Sequence, residues 1–335
     1  MRKWTSFGII FSTALLAACT GGTTGSAPPL TADAAHHPVP NAASLLFVAN
    51  RGEDAGSGLG ALLEFRQTDS GNKKPAFTIA GYQTGLTDPL VVALDSSKDV
   101  YVANDSQKTI YEFAAGASGN VSPIATITGS ATRLTQASGL GIDGSGNIWV
   151  SNYRPKPEIL EFAAGSNGNV APIRIIKGAK TSLNIPGPMV FDGQGNLFVI
   201  DSAANAIWEF AAGAHGNVAP IWNIVGSNTQ LSAPAGIALN ANNQVVVTNN
   251  TGASITAYYI DNSGNVPPAW VISGPATALS RPGGLVLDAT GNMFVTDNAQ
   301  NAIYKFAAGS TGNVSPAATI QGHKTMLVDP QGLAL

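Results

Sequence analysis

The sequence predicts an all-β fold: six four-stranded antiparallel sheets set radially around an axis, a six-bladed β-propeller. Three observations carry that prediction. A segment of the form "EFAAGASGNV" (112–121) recurs as "EFAAGSNGNV" (161–170), "EFAAGAHGNV" (209–218) and "KFAAGSTGNV" (305–314), with diverged copies at 257–266 and 64–73. Its aromatic stands at Phe65, Phe113, Phe162, Phe210, Tyr258 and Phe306, at steps of 48, 49, 48, 48 and 48 residues, a period that belongs to solenoids, propellers and arrays. Each unit divides into four short β-branched or aromatic runs bounded by Gly, Asn, Asp and Pro, with no long run at helical spacing.

Composition agrees. The 335 residues are 44% hydrophobic, contain 38 glycines, and are only 11% charged, against about 25% in a typical soluble protein. Recurrent aromatic and β-branched residues argue for a packed core and not for disorder. A net charge of −3 and the lack of any Lys/Arg run argue against nucleic acid as a partner, because phosphate binding needs concentrated positive charge.

The first 18 residues read as an address. Arg2 and Lys3 precede an apolar run from about Phe7 to Ala18, which is short for the roughly 20 residues of a bilayer span and suits a secretory signal. Leu16-Ala17-Ala18-Cys19 resembles the lipobox of bacterial lipoproteins. That resemblance implies a diacylglyceryl group on Cys19, cleavage before it, and an envelope location, on the outer membrane or cell surface if the source is Gram-negative. Cys19 is the chain's one cysteine, so the fold contains no internal disulfide. Residues 19–43 are small, polar and Pro/Gly-rich and read as a flexible tether; His36 and His37 lie within it as solvated linker residues.

The propeller spans 44–335. In each unit the first strand follows a Pro or Gly, as in "GLVLD" (284–288). A turn such as "DGSGN" (143–147) leads to a second strand such as "IWVS" (148–151), then a third such as "AIWEF" (206–210). The Gly-rich turn then leads to a fourth, such as "PIATI" (123–127). Second strands such as "QVVVT" (244–248) are apolar without alternation, which requires cover on both faces. The repeat begins at a second strand, "LLFVAN" (45–50), and ends at a first strand, "GLAL" (332–335). The C-terminal strand is therefore expected to complete the N-terminal blade and close the ring, which removes the open edges of a linear array.

Units such as "PGGLVLDATGNMFVTDNAQNAIYKF" (282–306) resemble those of the NHL-type six-bladed propellers, from about residue 44 onward. The resemblance implies the architecture and leaves the activity open. The Gly-rich turns read as structural, since Gly116, Gly119 and Asn120 accept positive φ and no helix follows to hold a phosphate. The D-x-x-G-N turns lack the carboxylate density of a calcium loop.

Second-to-third loops and blade connections share one end of the propeller and vary most, which marks a binding face. One ring of positions there is Asn50, Asn104, Asn152, Asp201, Asn249 and Asp297. Two readings stand: caps on nearby backbone, or an axial ring that holds a ligand or a divalent cation such as calcium. The blade connections follow G-x-x-T-x-L-x-x-P, and the residue before the Pro position varies: Asp88, Gln136, Ile185, Ala233, Arg281, Asp329. Ring closure makes Arg281, Asp329 and Asp88 neighbours, and the loop at 51–60 adds Arg51, Glu53 and Asp54. Tyr153 and Arg154 add an aromatic and a cation on the same face. In a charge-poor chain this sector is the candidate ligand site.

Some propellers of similar type are enzymes. The resemblance to the gluconolactonase type implies an axial calcium-like cation held by Glu, Asn and Asp; the amidating-lyase type uses histidines and zinc. Glu64, Glu112, Glu161 and Glu209 occupy one repeated strand position, Glu158 starts one such strand, and only Glu53 is placed to reach the mouth. With His215 in a Gly-rich turn and His323 alone in a blade connection, no zinc set assembles. The expectation is a monomeric, lipid-anchored binding or scaffold module for a peptide, glycan or protein, needing no cofactor. A cation-dependent hydrolase or lyase at the axial mouth is the alternative.

Overall fold

The computed structural model describes residues 45–52 and 59–335. The leader, Cys19, the tether through residue 43, and the loop residues Glu53 and Asp54 lie outside the described residues. Six sheets of four antiparallel strands are present, each ordered first-second-third-fourth. The first strands are Pro89–Leu94, Ala137–Ile142, Pro186–Phe191, Pro234–Asn240, Pro282–Leu287 and Pro330–Ala334. Each touches the first strand of both neighbouring blades, so the six surround one axis. Second strands such as Val100–Asn104 and Gln244–Asn249 are buried along their whole length, as sheets stacked face to face demand.

The ring closes as the chain ends predict. Pro330–Ala334 pairs antiparallel with Leu45–Asn50, setting Leu333 opposite Val48 and Ala334 opposite Phe47. This sheet, completed by Ala61–Arg66 and Phe77–Ile79, is blade 1; the others follow in chain order. Every first strand shifts register just inside its start, as between Pro186 and Met189 or Asn50 and Val48. Five of the six first strands open on Pro and Ala137 opens the other. Proline has no N–H to give the ladder, so a bulge next to it costs little.

The G-x-x-T-x-L-x-x-P connection is a 3-10 turn with its own hydroxyl bracket. In Gly81–Leu86, Thr84 donates its hydroxyl to the Gly81 carbonyl at 2.7 Å and accepts from the Leu86 N–H at 3.2 Å. All six such threonines are buried. The Gly that opens each turn has φ between 112 and 127°, a region closed to other residues.

The Gly-rich segment does more than reverse the chain. It extends along the fourth strand of the preceding blade, with Gly119 bridging Ile79 and Gly264 bridging Ile224 in parallel. Gly116 and Gly119 have positive φ. Asn120 does not, contrary to the reading of it as a turn residue; its work is done by the side chain. Its Oδ1 accepts the N–H of Gln83, in the 3-10 turn that links the preceding blade to its own, at 2.8 Å. Asn169, Asn217, Asn265 and Asn313 accept in the same way from Ala131, Lys180, Asn228 and Ala276 at 2.7–2.8 Å. At the seam Asn72 accepts from Lys324 at 2.7 Å. Each latch faces the turn glycine so closely that an added Cβ would meet the Asn side chain, at 2.5 Å for Gly226 against Asn265. Buried hydroxyls tie blades deeper in, Ser151 donating to the Gly187 carbonyl at 2.9 Å and Thr248 to that of Gly283 at 2.5 Å.

The D-x-x-G-N turns are closed Asx turns. Asp288 accepts from the N–H groups of Thr290 and Asn292 and from both their side chains. Burial alone would raise its pKa, but these bonds to the carboxylate together hold it below the ordinary value.

Gly226→Ala is expected to cost about 2 kcal/mol or more, since it adds backbone strain to a steric clash. Asn265→Ala removes a cap alone and is expected to cost about 1 kcal/mol. Urea unfolding of the two variants checks the order.

Candidate functional site

The end of the propeller that carries the blade connections surrounds the axis with a regular double ring. The residue before each first-strand Pro position offers its carbonyl to the N–H of the residue that follows the Asn/Asp ring. The pairs are Asp329 with Arg51, Asp88 with Asp105, Gln136 with Tyr153, Ile185 with Ser202, Ala233 with Asn250, and Arg281 with Asn298, at 3.0–3.4 Å. The backbone thus fixes twelve positions in sixfold order, and side-chain chemistry is free to differ around the mouth.

The Asn/Asp ring holds this arrangement from below. All six residues are buried, at 0–1% exposure, and each accepts from backbone N–H groups of the connection leading into its own blade. Asn104 accepts from Thr87 and Asp88, Asp201 from Asn184 and Ile185, Asp297 from Ser280 and Arg281. Asn152 accepts from Thr135, Asn249 from Ser232, and Asn50 from Val328 across the seam. The structure therefore places them as caps. A cavity of about 290 Å³ on the axis is lined instead by first-strand residues such as Val92, Gly141, Met189, Ile237, Leu285 and Leu333, with no ionisable side chain.

Two sectors of the mouth differ in kind. Over blades 4 and 5 lies a depression of about 270 Å³ lined by Ile185, Gly187, Pro188, Ala233 and Pro234, with Ser138, Ser202 and Asn250 at its polar edge. Across the axis, over blades 1 and 2, stand the charges. Arg51 donates from Nε to Asp88 Oδ1 at 2.5 Å, with both side chains partly exposed. Asp329 turns to its own side of the mouth, accepting from Gln331 Nε2 at 2.7 Å and Asn298 Nδ2 at 3.3 Å. Arg281 is exposed on blade 6. The Tyr153 ring lies 5.7 Å from the Arg154 guanidinium carbon, a cation–π distance, and Thr135 donates to the Arg154 carbonyl. Where that loop ends, Glu158 opens the third strand of blade 3; it is buried and accepts from Arg133 at 2.6 Å.

Asp105 is a mouth residue that sequence reasoning missed. It starts the 3-10 turn Asp105–Gln107, and its Oδ1 is buried with no hydrogen-bond partner. Burial, then the Asp88 carboxylate, push its pKa above the ordinary value against the opposing pull of Arg51. The available signal was positional: it directly follows ring residue Asn104, as Arg51 follows Asn50.

Glu64 carries a larger shift but stands away from the mouth, on the third strand of blade 1 between Phe47 and Phe77. Burial raises its pKa from 4.5 to about 8. Among the described residues, no three His, Cys, Asp or Glu side chains group so as to hold a metal ion.

No protein-family model matches the chain, and no curated protein matches it. Solved structures do. A protein of unknown function from Bacteroides caccae superposes with a TM-score of 0.61 at 11% identity, over 87% of this chain and 98% of the other. A chain of a nidogen/laminin complex gives 0.61 at 17% identity, over 87% and 97%. Virginiamycin B lyase from Staphylococcus aureus gives 0.56 at 14% identity, over 86% and 91%. At these identities the likeness is one of fold: the six-bladed propeller serves both in protein complexes and in a lyase.

Because the native Glu64 binds its proton more tightly than the unfolded chain, its contribution to stability is full below pH 4.5 and is lost as pH rises through about 8. The loss runs at up to roughly 1.4 kcal/mol per pH unit. Glu64→Gln is expected to flatten this dependence, with denaturant unfolding at pH 5 and pH 8.5 as the measurement.

Proposed function

We propose that the chain is an envelope-anchored binding module, and that its mouth takes a peptide segment of a partner protein. The observation that carries this is the division of the mouth. An apolar depression over Ile185, Pro188 and Ala233 lies across the axis from a sector in which Asp88, Asp105 and Asp329 outnumber Arg51 and Arg281, with Arg51 already paired to Asp88. A peptide that sets an apolar side chain in the first and a Lys or Arg against the second satisfies both. The rigid double ring presents these groups at fixed spacing, which limits the ordering cost of binding. The leader and the lipobox-like Cys19 support an acyl anchor that holds the propeller at a membrane surface outside the cytoplasm. The NHL-like units support a scaffold role, and a monomer suffices for it.

A second reading, a cation-dependent hydrolase or lyase at the same mouth, rests on Asp105. Its unbonded carboxylate oxygen and raised pKa suit an acid or base, and a lyase shares the fold. A stoichiometric, tightly held divalent cation on the purified full-length protein favours this reading over simple binding.

Selection of a peptide library on the full-length protein is expected to enrich sequences that pair an apolar residue with Lys or Arg. Titration of enriched peptides into Ile185→Glu and into Asp88→Asn/Asp105→Asn is expected to show affinity falling roughly tenfold or more. No enrichment, or affinity indifferent to both variants, sinks the reading. Separately, Cys19→Ala is expected to move the protein from the membrane fraction to the soluble fraction of the expressing cell.

A further inference from the structure

The six blades repeat one cross-strand row on the face each turns toward its next neighbour, and blade 5 breaks it. The second strand supplies an aromatic in five blades: Phe47, Tyr101, Trp149, Phe198 and Phe294. Opposite it on the third strand stands a long charged residue, Glu64, Glu112, Glu161, Glu209 or Lys305. Blade 5 has Val246 opposite Ala257. Both positions are truncated in the same blade, and Trp270 stands next in the row, opposite Ala257.

The truncation leaves a cavity. A groove of about 600 Å³ opens between blades 5 and 6, at the end of the propeller opposite the mouth. Blade 4 is the control. There Trp222 packs edge-on to Phe198, with ring centroids 5.7 Å apart, and is buried. Trp270 is only half-buried, and Tyr259, 46% exposed, lines the same groove where most sister blades have Ala.

The remaining walls are polar and neutral. Blade 5 replaces the Asp and Asn of the D-x-x-G-N turn with Asn240 and Gln244. Gln244 Oε1 accepts from Trp270 Nε1 at 3.1 Å and from Asn240 Nδ2 at 2.8 Å, which fixes the indole and directs the amide N–H donors of Gln244 elsewhere. Asn242 is exposed beside it, and Ser310 of blade 6 stands across the groove. The one carboxylate in the wall, Asp288, has both oxygens engaged by its own turn.

Two aromatic faces, amide and hydroxyl groups, and no free charge suit a neutral ligand with an apolar face and a hydroxyl-rich edge. We propose that this groove is a saccharide-binding site. A pyranose ring stacks its C–H face on Tyr259, beside Trp270, and its hydroxyls reach Asn242 and Ser310. The volume lies in the range of small-molecule sites. The site is separate from the mouth and does not depend on the peptide reading.

The test uses the full-length protein titrated with four neutral oligosaccharides: chitotriose, cellotetraose, maltotetraose and xylotetraose, read by tryptophan fluorescence and calorimetry. At least one is expected to bind saturably. Tyr259→Ala should weaken that binding roughly tenfold or more, in keeping with the cost of losing an aromatic anchor. Val246→Phe/Ala257→Glu restores the row of blade 4 and refills the groove, so it should abolish binding while thermal unfolding shows the fold intact. Ile185→Glu at the mouth should leave saccharide binding unchanged. No saturable binding by any of the four, or binding that survives the refilled groove, overturns the proposal. If the refilled variant fails to fold, Tyr259→Ala decides alone, with unchanged affinity as the overturning result.

Discussion

The pairing of Pro330–Ala334 with Leu45–Asn50 is the constraint on which the molecule rests. A radial array of sheets is stable only when the first and last wedges meet, because an open array leaves two blade faces and two strand edges in water. Here the meeting is made within one sheet. The N-terminal second strand is buried at every position, and it needs a first strand from the far end of the chain to be so. The same closure sets the Asp329 carbonyl against the Arg51 N–H and so completes the double ring at the mouth.

Around that seam, sixfold redundancy divides the labour. Positions that hold blades together are filled almost identically in every unit: the turn Gly, the buried Thr, the latching Asn and the capping Asn or Asp. Positions that face solvent at the mouth are left to vary, since their backbones are already fixed. The scaffold and the candidate sites are therefore made of different residues, even where they adjoin in sequence, as Asn104 and Asp105 do.

The architecture was legible in the sequence because it depends on period and on the chain ends, both of which are one-dimensional. Ring order also follows from blade order, and it brings Arg51 against Asp88. The direction a side chain points was not legible. Asn104 and its sisters belong to the correct end of the propeller but turn into the blade connections, and the Asn of each Gly-rich turn bonds to the preceding blade through space. The groove between blades 5 and 6 was hidden for a related reason. Val246, Ala257 and Trp270 lie on three different strands, and only the strand register makes them a row. Their departure from the repeat was visible position by position, but its meaning required knowing which positions touch.

The latching asparagines also set a timetable. Five of them cap a turn that left the ribosome 37 or 38 residues earlier, so each wedge is secured as soon as the next emerges. Asn72 must wait 252 residues for Lys324, and Leu45–Asn50 waits longer still for its edge partner, Pro330–Ala334. Such distant contacts form late. Throughout synthesis the earliest wedge therefore carries an apolar, unpaired strand edge. With near-identical units on every chain, that edge is where two nascent copies would exchange strands, and protection of the newborn N-terminus from its neighbours becomes a requirement of making this protein.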